Sequence, residues 1–163
     1  MLWLLPWALV DCKRALGESN GDMEEAVSIL RKKGVATAAK KSGRSASEGM
    51  IAQAISEDRS KGILVEVNCE TDFVAKNDDF VVFSNEIAKE LLNNPSADFE
   101  EKRTEQVAKI GENIKISRSE TLAPETSGLV ESYVHTGAKV AVLLSVGSDS
   151  SEVHSNELVV SMA

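Results

Sequence analysis

Apolar positions along the chain first recur at helical spacing. Leu9, Val10, Cys12, Ala15 and Leu16 fall on one helical face, and Gly17 interrupts them. Asn20-Gly21-Asp22 reads as a turn and a helix start. Asp22 is the N-cap, with Glu24 and Glu25 in the first turn, where the helix dipole favours acids. Ala26, Val27, Ile29 and Leu30 form the next apolar stripe. Arg31, Lys32 and Lys33 close the last turn and Gly34 ends it. Residues 1–33 therefore read as a small helical module. No third helix is expected before it, because Pro6 breaks the apolar stretch at 1–10. Residues 34–49 read as a solvated, partly helical linker. The stretch from Arg31 on is basic, with Lys32, Lys33, Lys40, Lys41 and Arg44 and no acid before Glu48, which would suit an acidic partner.

The period then shortens to two. Residues 50–55 and 63–69 read as paired strands joined by a turn at 58–62, and residues 71–76 as a loop. Asn77 caps a helix running to about Leu92, with Phe80, Phe83, Ile87 and Leu91 on one face. Asn93-Asn94-Pro95 stops it, and a second helix at 98–110 ends at Gly111. Residues 114–120 and 128–135 alternate as strands. A turn at Thr136-Gly137 leads into an apolar run at 139–146 that reads as a buried strand. Neighbouring strands on short turns predict an antiparallel sheet with helices packed on one face, an α+β domain over 50–147. Residues 148–163 stay polar until Leu158-Val159-Val160.

Composition narrows the classes. The chain has 163 residues, 42% hydrophobic and 27% charged, enough for one ordinary domain and a small module. Its formal charge of −8 argues against general nucleic-acid binding, which needs clustered cations. No apolar run approaches the roughly 20 residues of a membrane-spanning helix. Met1 to Val10 is apolar and holds both tryptophans, Trp3 and Trp7. It lacks a basic leader region and a small-residue cleavage site, so secretion is not expected. Two cysteines far apart, Cys12 and Cys69, read as reduced thiols. A cytoplasmic chain of bacterial type, or one of an organelle matrix, follows.

No catalytic or cofactor-binding constellation stands out. His135 and His154 have no metal-ligand spacing, and no glycine-rich phosphate loop precedes a helix. No metal, no cofactor and no enzymatic activity are expected. One alternative pairs Cys69 as nucleophile with His135 as base, a small thiol enzyme; the bland reading of Cys69 is a buried thiol ending a strand. The stretch Asn68-Cys-Glu-Thr-Asp-Phe-Val-Ala-Lys-Asn77 carries an apolar strand straight into an Asp-Phe pair. Phe73 there is either an anchor for a partner's pocket or a cap folded back on the core. The residues alone leave both open.

Val67-Asn-Cys-Glu-Thr-Asp-Phe-Val-Ala-Lys76 resembles the signature of the elongation factor Ts family, guanine-nucleotide exchange factors of translation elongation factor Tu. Asp11-Cys-Lys-Arg-Ala-Leu16 and Asn20-Gly-Asp22 resemble that family's N-terminal module of ubiquitin-associated type. Ala38-Ala-Lys-Lys41 is similar to its linker, and Ala108-Lys-Ile-Gly-Glu-Asn-Ile114 and Tyr133-Val-His135 to two segments of its core. The resemblance covers about residues 8–147. It implies that Thr71, Asp72, Phe73 and Val74 disturb the magnesium site of elongation factor Tu. It further implies that Ile110, Gly111 and His135 lie at or near the same interface, and that Leu9, Val10 and Lys13 face the partner from the helical module. The family's usual first helix, rich in Leu, Lys, Glu and Arg, is replaced here by Met-Leu-Trp-Leu-Leu-Pro-Trp. The resemblance also implies a chain short at both ends, with residues 148–163 the start of a second subdomain. Exchange activity is the expectation; binding of the partner without effective exchange is the alternative. Apolar surface left open around Val140–Val146 and Leu158–Val160 predicts self-association.

Overall fold

The computed structural model describes residues 9–147. Its elements are α1 (Leu9–Glu18), α2 (Met23–Lys41), β1 (Glu48–Ile55), β2 (Gly62–Cys69), α3 (Asp72–Ala75), α4 (Asp78–Asn93), α5 (Glu100–Ile110), β3 (Lys115–Leu122), β4 (Gly128–Val134) and β5 (Ala141–Gly147). The class is α+β.

α1 and α2 form a helical hairpin around a small core of Cys12, Ala15, Ala26 and Leu30. Asn20 and Gly21 take left-handed backbone at the turn, and Asp22 caps α2 by accepting the Glu25 N–H at 2.8 Å. Asp11 ties the pair together by accepting from Lys33 of α2 and from Arg14 of its own helix. The Lys33 hydrogen bond is the main reason its carboxyl lies below the usual range. α2 does not end at Gly34. It runs on to Lys41, with Gly34 and Ala38 buried. A mid-helix glycine costs about 1 kcal/mol, but packing of this half of α2 along α5 offsets it, and Ala38 joins the main core. Much of the expected linker is thus helix.

β1, β2 and β3 form one antiparallel sheet in that order, with Cys69 opposite Glu48 and Gly62 opposite Ile55. Side chains alternate across a strand. Ile63, Val65, Val67 and Cys69 therefore face one way, into a core with Phe80, Phe83, Ile87 and Leu91 of α4. Gly62 faces the other way, where an added Cβ would meet Val130 and Leu143. That second face is covered by β4 and β5, which among the described residues pair only with each other. The strands thus make two stacked antiparallel sheets, not the single sheet expected. Arg59, left-handed at φ 57, joins them: its carbonyl accepts the Val130 N–H at 2.7 Å and its guanidinium pairs with Glu131. β5 begins at Ala141 and is half-exposed; the reading of 139–146 as a buried strand does not hold. Val140, Val142, Leu144 and Tyr133 are exposed. The expectations for Trp3, Trp7, His154 and Leu158–Val160 lie outside the described residues.

Candidate functional site

The sheet's end at Cys69 is where the distinctive stretch leaves β2. The Cys69 side chain is fully buried and its S–H donates to the Thr71 carbonyl at 3.1 Å. Thr71 is extended (φ −127°, ψ 154°), and its hydroxyl oxygen accepts the Val74 N–H at 3.3 Å. That is an N-cap, so residues 72–75 form a helical turn where a loop was expected. The signal was present in the sequence: a threonine followed by an acid in the first turn.

The turn is amphipathic. Ala75 is buried and Val74 packs on the main core. Asp72 and Phe73 point outward, and Phe73 is 82% exposed. Of the two readings of Phe73, the cap folded on the core is removed. Lys76 donates to Asp72 at 2.9 Å, holding that carboxyl below its usual range and the ammonium above its own. Asn77 caps α4 at once, accepting the Asp79 N–H at 2.9 Å. Two N-caps in quick succession leave little slack between β2 and α4.

A second segment supports the turn from beneath. α5 ends at Gly111, whose φ of 85° suits glycine and reverses the chain. The next residue, Glu112, accepts the N–H groups of Glu70 and Thr71 through one carboxylate oxygen, both at 3.0 Å. It accepts the Thr71 hydroxyl through the other at 2.7 Å. Glu70 reciprocates by accepting the Asn113 N–H at 2.7 Å, and Arg44 lies 3.5 Å from the same carboxylate. Buried Asn113 donates to the carbonyls of Ser42 and Arg44. Lys41 donates to the Gly111 carbonyl. Ile110 and Gly111 are thereby set beside the turn, Ile110 half-buried on the core and Gly111 exposed. Neither Glu112 nor its exchange of hydrogen bonds with residues 70–71 could be singled out in the sequence. An acid after a helix-ending glycine is an ordinary surface pattern.

His135 reaches the same end from the β4–β5 turn. Ala138 of that turn accepts the Ile51 N–H at 2.7 Å, and Lys139 pairs with Glu48, which stands opposite Cys69. His135 is exposed, its Nδ1 2.8 Å from the Tyr133 hydroxyl. Residues 71–74, 110–111 and 135 therefore gather at one end of the molecule. Leu9, Val10 and Lys13 stand on α1, a separate helix packed against α2, and are exposed there.

This end presents Asp72, Phe73, Gly111 and His135 to solvent. Burial, helped by the Glu112 charge, pushes the Cys69 thiol up to about 11. Such a thiol is protonated at neutral pH and a poor nucleophile. The His135 ring is engaged by Tyr133. Those two facts weigh against the thiol-enzyme alternative. Among the described residues, no group of three His, Cys, Asp or Glu is placed to hold a metal ion. No helix among them is long and apolar enough to cross a membrane.

The family model described as Elongation factor TS matches residues 70–163, more than half of the chain. The chain belongs to the elongation factor Ts family. It is 46% identical over 158 residues to an elongation factor Ts of Clostridium perfringens, a match covering 88% of this chain and 52% of that relative. Elongation factor Ts of Nautilia profundicola is 46% identical over 155 residues, covering 87% of this chain and 50% of its own length. That of Hydrogenovibrio crunogenus is 46% identical over 152 residues, covering 85% and 51%. The chain thus spans about half the length of these elongation factor Ts relatives. The turn at 71–75, the Gly111–Asn113 support and His135 all fall inside the matched family region.

Proposed function

We propose that this chain binds elongation factor Tu and promotes GDP release from it during translation elongation. The observation that carries the reading is Phe73: a large apolar side chain 82% exposed on a turn capped by Thr71 and held at its start by Glu112. Exposure of an aromatic on a rigid support suits an interface anchor. Asp72 beside it supplies an acceptor close to where the partner's magnesium and phosphates are held.

An exchange factor needs no reacting group. It must bind the nucleotide-free partner more tightly than the nucleotide-bound one, and linkage then weakens nucleotide affinity by the same factor. Phe73 entering between partner side chains would shift the loops that hold magnesium, and Asp72 would compete for or repel groups around the phosphates. Thr71 and Val74 act from within the turn, as cap and as inner anchor. Ile110, Gly111 and His135 extend the contact at the same end. The α1–α2 hairpin is the ubiquitin-associated-type module, presenting Leu9, Val10 and Lys13 to the same GTPase domain. The division into module, linker, first core subdomain and the start of a second at 148–163 belongs to this reading, with α2 spanning module and linker as one helix.

The chain's coverage of about half of its relatives supports a second reading, a fragment that binds the partner without effective exchange. Release of a fluorescent GDP from purified elongation factor Tu separates the two. Acceleration by the chain supports the first. Co-sedimentation of the two proteins without acceleration supports the second. No complex at all contradicts both.

A further inference from the structure

Glu112 is absent from the surface just assigned, yet it holds the residues from which that surface starts. Its carboxylate takes three hydrogen bonds, two from consecutive backbone N–H groups and one from the capping hydroxyl, at 2.7–3.0 Å. All three donors belong to Glu70 and Thr71, the residues that carry the chain from β2 into α3. Hydrogen bonds to an ionised acceptor are about twice as strong as neutral ones. The Thr71 hydroxyl is doubly used, since it donates to Glu112 and accepts the Val74 N–H. Glu112 therefore fixes the rotamer of the very residue that caps the turn. The reciprocal bond from the Asn113 N–H to Glu70 closes the clamp, and Gly111, left-handed at φ 85°, delivers Glu112 beneath the turn.

We infer that Glu112 is a positioning residue: its carboxylate clamps Glu70 and Thr71 and so sets the angle at which Asp72 and Phe73 project. The inference rests on the exchange reading above for its functional consequence, and on the clamp's geometry for its existence. The clamp is half-buried and lies outside the main apolar core, which α4 and the three-stranded sheet supply. Losing it therefore releases the turn while the core stays packed. The interface anchor remains present but is no longer pre-set, and ordering it on binding then opposes complex formation.

The test uses the full chain with Glu112→Ala and Glu112→Gln. Native-state hydrogen exchange reads the clamp without any partner. In Glu112→Ala the amides of residues 70 and 71 should exchange about tenfold faster or more, while those of Val65 and Val67 keep their protection. Stimulated GDP release should fall about tenfold, the value of one charge-assisted hydrogen bond in the coupling. Glu112→Gln retains an acceptor oxygen for the two amides and should recover most of both signals. Unchanged protection at 70 and 71 in Glu112→Ala overturns the clamp. Lost protection with full exchange activity overturns the positioning role, provided Phe73→Ala is inactive in the same assay. A loss of activity only in proportion to unfolded protein, with no rescue by Gln, makes Glu112 merely structural and also overturns it. A wild-type chain that leaves GDP release untouched contradicts the exchange reading instead, and the hydrogen-exchange arm still decides the clamp.

Discussion

Phe73 and Phe80 close two ends of one short stretch and have opposite fates, one 82% exposed and the other fully buried. Phe80 was legible because it repeats with Phe83, Ile87 and Leu91 at helical spacing. Phe73 was not, because a single turn has no period to read. Its exposure follows from tertiary facts: Thr71 starts a turn, Val74 and Ala75 take the inner side, and the clamp from Glu112 fixes the rest. Cys69 shows the reverse case, where the bland reading of a strand-end thiol matched the structure. Its folded pKa is raised from the ordinary 9.0 to about 11, chiefly by burial. The fold thus favours the neutral thiol. That stability is fully present below about pH 9 and is lost as pH rises through 11, at most about 3 kcal/mol. Urea unfolding from pH 8 to pH 11 should show wild type losing stability relative to Cys69→Ser; parallel curves for the two would contradict it.

At the scale of elements, helix and strand periods locate nearly every element, and Asp22 and Asn77 cap their helices as their sequence positions predict. The misreadings came where packing overrode local preference. Gly34 reads as a stop, yet α2 continues because α5 lies along it. The alternating strands read as one sheet, since alternation says which face is buried and not which strand is the neighbour. Gly49 explains how closely β1 and β2 approach at the site's end. Its φ is 141°, and a Cβ there would lie 2.1 Å from the Val67 carbonyl oxygen. Gly49→Ala must push apart the strands that carry Cys69 into the turn. It should cost more than about 3 kcal/mol, read as a lower midpoint in thermal unfolding. An unchanged midpoint would show that the strands are not held in this register.

At the scale of the whole molecule, α4, the three-stranded sheet and the β4–β5 hairpin stack in that order. Val140, Val142, Leu144 and Tyr133 form an exposed apolar strip on the β4–β5 hairpin. The family resemblance predicts open surface at 140–146, while hydropathy alone predicts that the strand itself is buried. A run of apolar residues cannot distinguish a strand covered on both faces from one left half-open. Such strips favour association. Sedimentation should therefore show mass rising with concentration for the wild type and a constant monomer for Val142→Lys. A wild type that stays monomeric at high concentration would contradict this.

One variant decides directly between a Phe73 that works at an interface and one that packs in the core. Phe73→Ala should leave the thermal midpoint within error of wild type, because the ring is exposed. It should also lower stimulated GDP release from elongation factor Tu about thirtyfold, the equivalent of losing about 2 kcal/mol of anchor energy. A sharp fall in the midpoint, with release falling only in proportion to unfolded protein, would contradict the account, as would full exchange activity in the folded variant.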